Sequence, residues 1–386
     1  MRGWRGWGVI LLLVTGEAVA EPVHIGTTFS AKQCLYLRVN AKKTCKEILK
    51  TKFDLVRLAA YWDELEPQEG IYDFSSLDWQ VAQARSQQIP IVLTVGMKAP
   101  RWPEYFIPPW VLKHLRLRTG ADISKNAYLR RQTLRFIEAV VRRYRDEGTI
   151  HYWQVENEPL DRTGPGYWWI GPAFLKQEVA LVRRLDPRGR PLLITTVTYP
   201  NPFLRRLMYL FMQHDTIDEA LRLGDILGVN VYPVVGHRWF LKKSYYWTTS
   251  KERNEYFSSI LARPTRGKKP VWVTELQAEP WEPNQLVYTG QEQPPTGNPG
   301  TIQQNIQELR ALGITTILLW GAEYWQFRET RYQDSHWWDE VRRLLRQEQE
   351  VERAQEAATF GDGSLSSAAS PATAGQSTAH SLSGTR

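Results

Sequence analysis

The fold is decided by a short stretch at residues 152–159, which reads Tyr152-Trp153-Gln154-Val155-Glu156-Asn157-Glu158-Pro159. Proline is poorly tolerated inside a sheet, so Pro159 predicts the end of a strand, with Glu158 at its tip. A second apolar run, residues 270–276, carries Glu275 near its end. In parallel α/β proteins ligands bind at the carboxyl ends of strands, so the sequence predicts two carboxylates at one binding site.

Apolar runs alternate with helical patterns along most of the chain. The eight apolar runs are residues 23–29, 53–62, 89–95, 150–158, 192–197, 226–232, 270–275 and 315–320. Continuous apolar runs are typical of buried parallel strands. Ser124 is predicted to cap the long helix that precedes the fourth strand. The alternation predicts an α/β fold, a single-domain (β/α)8 TIM barrel over residues 21–346.

The two ends of the chain differ in composition from this barrel. Residues 1–20 combine Arg2 and Arg5, a short apolar run and the small-x-small pattern that ends at Ala20, which predicts a secretory signal peptide. An uncleaved anchor is the alternative, although the run is short for a bilayer. We therefore expect a secreted or periplasmic protein with no membrane association after cleavage. Residues 347–386 are polar and of low complexity, which predicts a disordered tail.

Charge and composition narrow the choice of partners. The net charge is +8, but Lys and Arg are scattered over predicted helices, so solvated helix faces are favoured over a nucleic-acid partner. No glycine-rich phosphate loop follows a strand, and no cofactor is predicted. Cys34 and Cys45 fit either one disulfide or two free thiols, and they are too few for a thiolate metal site.

Aromatic residues are unusually frequent, with 17 tryptophans. Several lie outside the apolar strands: Trp102, Trp110, Trp168, Trp169, Trp239, Trp247, Trp281 and Trp325. Burial in the core explains any single one of them. A set spread over connecting segments also fits stacking on the apolar faces of sugar rings.

The two strand tips resemble those of the retaining glycoside hydrolases of clan A. Asn157-Glu158-Pro159 on the fourth strand and Glu275 on the seventh match the pattern of its β-galactosidase-like and cellulase-like (family 5) members. The segment from Arg57 to Phe74 is similar to the region after the second strand in several of these families. The resemblance covers about residues 23–346 and implies a secreted retaining β-glycosidase that acts on an oligo- or polysaccharide.

The resemblance also implies a role for each matching residue. Glu158 would be the general acid/base and Glu275 the nucleophile, roughly 5–5.5 Å apart as retention of configuration requires. The implied substrate-binding residues are Asn157 at the sugar 2-hydroxyl, Tyr232 and Arg57 at the nucleophile, and Trp320 as a platform under the sugar. No metal is implied.

Two positions depart from the family pattern, and other carboxylates have plainer explanations. Asn230 stands where many cellulase-like members carry His, and residues 95–98 lack a His that is often found there. Glu156 shares the strand face of Glu158 if the strand is regular, and we interpret it as a structural salt-bridge partner. The remaining acidic residues near the later strands are predicted to be solvated on loops: Glu279, Glu282 and Glu323.

Three other functions remain open from the sequence. A transglycosylase would use the same residues with a sugar acceptor in place of water. A non-catalytic carbohydrate-binding barrel would keep the fold without the activity. A metal-dependent barrel hydrolase would need a cluster of His and Asp at strand tips, and no strand tip here offers a His pair. The sugar, the linkage, endo or exo action and the oligomeric state are not determined by the sequence.

Overall fold

The computed structural model describes residues 21–198, 201, 203, 205–206, 210, 215–239, 242–283 and 288–365. The predicted signal peptide at residues 1–20 and the last part of the predicted tail, residues 366–386, lie outside the described residues. Residues 23–346 form one compact unit. None of the described helices is both long enough and apolar enough to cross a membrane.

Eight parallel strands close into a barrel, which confirms the predicted (β/α)8 fold. The barrel strands are β1 (His24–Thr28), β2 (Val56–Ala59), β3 (Ile91–Val95), β4 (Ile150–Val155), β5 (Leu192–Val197), β6 (Ile226–Val231), β9 (Val271–Gln277) and β10 (Thr316–Trp320). Each strand pairs with the next along the chain, β6 pairs with β9, and β10 closes the barrel on β1. In the β6–β9 register Asn230 lies opposite Glu275.

An antiparallel hairpin interrupts the repeat after the sixth barrel strand. It consists of β7 (Val234–Trp239) and β8 (Lys242–Trp247), with Val234 opposite Trp247. The aromatic and basic residues at 238–239 and 242–247 therefore belong to a second, two-stranded sheet. This hairpin lies directly after Tyr232, at the carboxyl end of the barrel strands.

Helices surround the barrel. They are α1 (Ala31–Leu37), α2 (Ala41–Lys50), α3 (Trp62–Leu65), α4 (Ser75–Ser86), α5 (Pro109–Leu112), α6 (Ala127–Tyr144), α7 (Pro172–Leu185), α8 (Thr216–Leu223), α9 (Ser250–Leu261), α10 (Gly300–Ala311), α11 (Ala322–Tyr332) and α12 (His336–Leu365). Their apolar faces pack with the strand side chains into one core, which includes Phe136, Trp153 and Trp325. Burial of this apolar surface drives the assembly.

The structure differs from the predicted cap of α6 and from the predicted start of the disordered tail. Helix α6 is capped by Asn126, whose side chain accepts a hydrogen bond from the backbone of Leu129 at 3.0 Å, and not by Ser124. Ser124 lies in a preceding 3₁₀ turn, where its hydroxyl donates to Asp122 at 2.5 Å. Near the carboxyl end of the chain, helix α12 continues to Leu365, so the first part of the predicted tail is helical. Residues 347–358 are rich in Glu, Arg, Gln and Ala, which favour helix.

The two cysteines are separate, buried thiols. Burial, with a contribution from the nearby Glu323 carboxylate, raises the pKa of Cys45 to about 12. The same two causes raise the pKa of Cys34 above its ordinary value. Of the two alternatives that the sequence left open, the structure shows the free thiols.

Candidate active site

Two buried carboxyl groups occupy the same end of the barrel. Glu275 lies within β9, and Glu158 lies three residues beyond the end of β4. Because all barrel strands run parallel, their carboxyl ends meet at one mouth. Glu158 and Glu275 are 7% and 4% exposed, so both are largely withdrawn from solvent.

Glu275 has a partner for each of its carboxylate oxygens. Arg57 donates from Nη2 to Oε1 at 2.8 Å, and the Tyr232 hydroxyl donates to Oε2. Arg57 is fully buried on β2, where Thr28 Oγ1 accepts from its Nε at 2.9 Å. Burial and the Glu275 charge raise the pKa of Tyr232 well above its usual value, so the hydroxyl stays a donor. The Glu275 carboxylate is therefore held in one orientation with its charge balanced.

Glu158 is in a different electrostatic environment. Burial raises its pKa well above the ordinary value, the Glu104 and Glu275 carboxylates raise it further, and Lys98 opposes them. Asn230 donates from Nδ2 to Glu158 Oε1 at 2.6 Å, and Asn230 Oδ1 accepts from Thr274 at 2.7 Å. An amide does not titrate, so it orients Glu158 without adding a charge. Glu158 is therefore suited to carry a proton near neutral pH.

Asn157 lies two residues beyond the end of β4, directly before Glu158. Its Oδ1 accepts from Gln154 Nε2 at 3.1 Å and from Thr195 Oγ1 at 3.4 Å. Its backbone N–H donates to the Lys98 carbonyl at 2.9 Å. With Oδ1 already engaged, the Nδ2 group remains available as a donor, because no hydrogen bond from it is found in the part of the chain that the structure describes.

Glu156 does not share a face with Glu158, contrary to the expectation for a regular strand. The strand ends at Val155, and both glutamates adopt the left-handed backbone region, with φ of 61° at Glu156 and 46° at Glu158. Both Glu156 oxygens accept backbone N–H groups, from Met97 at 2.8 Å and from Lys98 at 2.6 Å. The salt bridge expected for Glu156 is not found among the described residues: Lys98 pairs with Glu104, and Glu156 is held by backbone N–H groups.

Gly96 is required by this arrangement. Its φ is 128°, and a Cβ built there would lie 2.2 Å from the Glu156 carboxyl carbon. No side chain fits at that distance. Burial raises the pKa of Glu156 to about 7, and a side-chain hydrogen bond with Glu178 and the two backbone donors counteract that rise. The Gly96–Glu156 contact therefore fixes the chain as it leaves β4 and sets the direction of Glu158.

Trp320 ends β10 near Arg57, but its ring is in contact with cations. The Arg101 guanidinium lies 3.8 Å from the ring centroid, and the Arg57 guanidinium lies 5.6 Å from it. Arg101 donates to Glu279 Oε1 at 2.5 Å and also to Glu323. Trp320 is 8% exposed, so only a small part of its surface is open to a sugar.

The prediction that the later acidic residues are solvated is wrong. Glu279, Glu282 and Glu323 are 7%, 4% and 0% exposed. Glu282 accepts from the Thr296 hydroxyl at 2.7 Å, and Glu323 accepts from the Ser30 backbone at 2.6 Å. These residues follow the last two barrel strands: Glu279 and Glu282 lie in the segment after β9, and Glu323 lies in the first turn of α11.

Sequence reasoning missed three residues at this site. Asn230 was noted only as a departure, although it precedes Tyr232 by two positions and therefore shares its strand face. Lys98 is fully buried, and its Nζ donates to the Glu158 carbonyl at 2.6 Å and pairs with Glu104 at 3.3 Å. Lys98 and Arg101 lie on the long connection after β3, where no periodic signal marks them.

The tryptophans outside the strands divide between core and surface. Trp325 is fully buried, whereas Trp102, Trp247 and Trp281 are 50%, 59% and 41% exposed. Trp281 packs edge-to-face on Tyr232, with ring centroids 4.7 Å apart. It therefore lies beside the candidate site with part of its face open to solvent. Within the described ranges no group of three His, Cys, Asp or Glu residues is arranged to hold a metal ion.

Part of this chain matches the model of a known protein family. The model of the family 42 β-galactosidases matches residues 37–168. The match and the barrel confirm the resemblance to clan A glycoside hydrolases. The matched segment includes Arg57 and Glu158 and ends before β5. None of the curated protein sequences compared with this chain matches it.

Solved structures share the barrel at low sequence identity. A β-galactosidase from Halorubrum lacusprofundi is 15% identical with a TM-score of 0.51, covering 77% of this chain and 52% of its own. A family 42 β-galactosidase from G. stearothermophilus is 15% identical with a TM-score of 0.58, covering 86% of this chain and 56% of its own. This chain thus spans about half the length of these β-galactosidases.

A shorter similar structure is a family 5, subfamily 18 protein from Streptomyces cattleya in complex with GlcNAc. It is 14% identical with a TM-score of 0.56, and the match covers 86% of this chain and 81% of that one. At such identities the likeness establishes the fold alone.

Proposed function

We propose that this protein is a retaining β-glycosidase, with Glu158 as general acid/base and Glu275 as nucleophile. The observation that carries the proposal is the contrast between two buried carboxyls at one barrel mouth. Burial favours the protonated form of Glu158, whereas the Arg57 cation and the Tyr232 hydroxyl donate to the two oxygens of Glu275 and orient it. Pairs of titratable groups with such opposed environments mark acid and base roles.

The reaction proceeds in two displacements. Glu275 attacks the anomeric carbon while Glu158 transfers its proton to the departing oxygen, which gives a covalent glycosyl-enzyme. Glu158, now an anion, then takes a proton from water, and that water displaces Glu275 with overall retention of configuration. Asn157 Nδ2 donates to a hydroxyl of the reacting sugar.

The substrate is a β-linked oligo- or polysaccharide, and β-galactosides come first because the family match carries that description. The exposed Trp281 offers a stacking surface beside the site. We also propose that the protein is exported, on the strength of the signal-like residues 1–20. Expression of the full chain should give a secreted or periplasmic product whose first residue lies near residue 21, as read by amino-terminal sequencing.

The test of mechanism is the stereochemistry of azide rescue. Glu275→Ala should abolish the glycosyl-enzyme, and azide should restore turnover with an α-glycosyl azide as product. Glu158→Ala should still form the intermediate from dinitrophenyl glycosides, whose good leaving group needs no proton, and then stall. Azide should speed that stalled step and give a β-glycosyl azide.

The exposed Glu292→Ala variant is the matched control and should retain wild-type rates. Near-wild-type rates in both active-site variants would show that neither carboxyl is catalytic. Rescue of both variants with the same stereochemistry would overturn the assignment of the two roles.

A further inference from the structure

A cavity separate from the two candidate catalytic carboxyls lies beside the carboxyl end of β9. Its volume is about 380 Å³, and neither Glu158 nor Glu275 lines it. Its walls come from the β7–β8 hairpin, the loop around residues 295–298 and the first turns of α9 and α10. Ligand pockets in proteins begin at about 300 Å³, so the space is large enough for a small ligand.

The walls are held in place before any ligand enters. Gln277 accepts from the Val234 backbone at 3.0 Å and donates to the Val234 carbonyl at 2.8 Å, which fastens the hairpin to β9. Arg253 donates to the Thr248 carbonyl at 2.5 Å and forms an ion pair with Glu308. Because the charge of Arg253 is already balanced, the cavity does not favour an anion.

Polar side chains and an indole are among the residues that line the cavity. Glu279 Oε2 and Trp337 Nε1 are buried without a hydrogen bond among the described residues, and their residues are only 7% and 1% exposed. The amides of Asn298 and Asn305 also line the space. Trp247, at 59% exposure, adds a flat aromatic surface. Two amides and an aromatic face together suit the hydroxyls and the apolar face of a neutral sugar.

Glu279 connects the cavity to the candidate active site. Its Oε2 is the unpartnered oxygen, while its Oε1 accepts from Arg101, whose guanidinium covers Trp320. Gln277, also in the cavity wall, follows Glu275 by two residues along β9, a distance of about 6.8 Å. The cavity is therefore adjacent to the position of the reacting sugar.

We propose that this cavity binds a second sugar unit of the substrate, so that the protein prefers oligosaccharides to simple monoglycosides. The inference rests on the proposed glycosidase function and adds to it a site that the two catalytic carboxyls do not require. Asn305→Trp tests it, because the new ring would fill the cavity from α10 and no hydrogen bond of the fold depends on this side chain. Gln307→Trp is the matched control, since residue 307 is exposed and lies two positions away on the opposite face of the same helix.

The probes are 4-nitrophenyl β-galactoside, β-glucoside and β-mannoside, with the aryl β-1,4-disaccharides and unmodified β-1,4-disaccharides of the same sugars. Aryl disaccharides place the second sugar on the glycone side of the scissile bond, and unmodified disaccharides place it on the leaving-group side. The quantity measured is the ratio of kcat/KM for each disaccharide to kcat/KM for the matching monoglycoside. Asn305→Trp should lower one of these ratios at least about tenfold, while Gln307→Trp should leave both at the wild-type value.

The outcomes separate the inference from the function on which it rests. If wild-type protein hydrolyses the probes and Asn305→Trp leaves both ratios unchanged, the cavity is not a substrate subsite although the glycosidase function stands. If wild-type protein hydrolyses no probe, the function is wrong. Disaccharide binding to Glu275→Gln, followed by tryptophan fluorescence, then decides the cavity by itself: weaker binding in the Asn305→Trp background supports a sugar site, and equal binding refutes it.

Discussion

The clearest quantitative prediction concerns Glu279 and the pH dependence of stability. Burial is the largest cause that raises the pKa of Glu279 from its ordinary value of 4.5 to about 7, and the Glu323 and Glu275 charges add to it against Arg101. This rise corresponds to about 3 kcal/mol between the two protonation states, at roughly 1.4 kcal/mol per pKa unit. This energy is a cost of ionising the folded protein, because the unfolded chain releases the proton more easily.

The sign of the effect follows from proton binding. Between about pH 4.5 and pH 7 the folded state holds more protons at this position than the unfolded state, so stability falls as the pH rises. Glu279→Gln removes the titration but keeps an oxygen for Arg101 at the same place. Relative to wild type, the variant should therefore gain up to about 3 kcal/mol of unfolding free energy as the pH is raised from about 4 to about 8.

Urea denaturation across this pH range measures the effect. The exposed Glu292→Gln variant is the control and should follow the wild-type profile. The buried glutamates that do not interact with Glu279 contribute equally to both proteins, so they cancel in the difference. Parallel wild-type and Glu279→Gln profiles would refute the reasoning, because Glu279 would then titrate alike in the folded and unfolded states.

Three further predictions address the rest of the molecule. Tyr232→Phe removes a hydrogen bond to a charged carboxylate, worth about 1.5–3 kcal/mol, and should lower kcat/KM roughly 10- to 150-fold; an undiminished kcat/KM would contradict the assigned contact. Arg57→Met leaves the Glu275 carboxylate buried without its cation and should lower the unfolding free energy by about 3–5 kcal/mol in urea, whereas Arg85→Met at an exposed position should cost little. Truncation after Thr359 should leave the thermal midpoint nearly unchanged, since few apolar residues follow it, and a fall of many degrees would show that the end of the chain packs.

The barrel was predictable because its signal is local. Parallel strands that are buried on both faces are largely apolar along their length, so runs such as residues 91–95 and 192–197 predict strands directly. Carboxylates at strand tips, such as Glu158 and Glu275, follow from the same reading. The conformation at the end of β4 was harder to predict from the sequence. The left-handed backbone of Glu156 depends on its contacts with Gly96 and the next two backbone N–H groups.

The electrostatic surroundings of the site were not predictable in this way. Arg101 and Glu279 are 178 positions apart in the sequence, and neither lies in a strand pattern that would direct it inward. A glutamate just beyond a barrel strand is ordinarily solvated, and only the folded structure shows that Glu279 and Glu323 share one guanidinium. Such pairings are set by tertiary structure, which is why sequence reasoning assigned these residues to solvent.

Because both thiols are buried, the native protein should react very slowly with cysteine reagents. With the pKa of Cys45 at about 12, only about one thiol in 10⁵ is ionised at neutral pH, and the thiolate is the reactive species. Both cysteines belong to the helical layer around β1, so a maleimide can reach them only when that layer opens. The rate of labelling would therefore report the rate at which the first β/α units open. The measurement needs no engineered probe and no knowledge of the substrate.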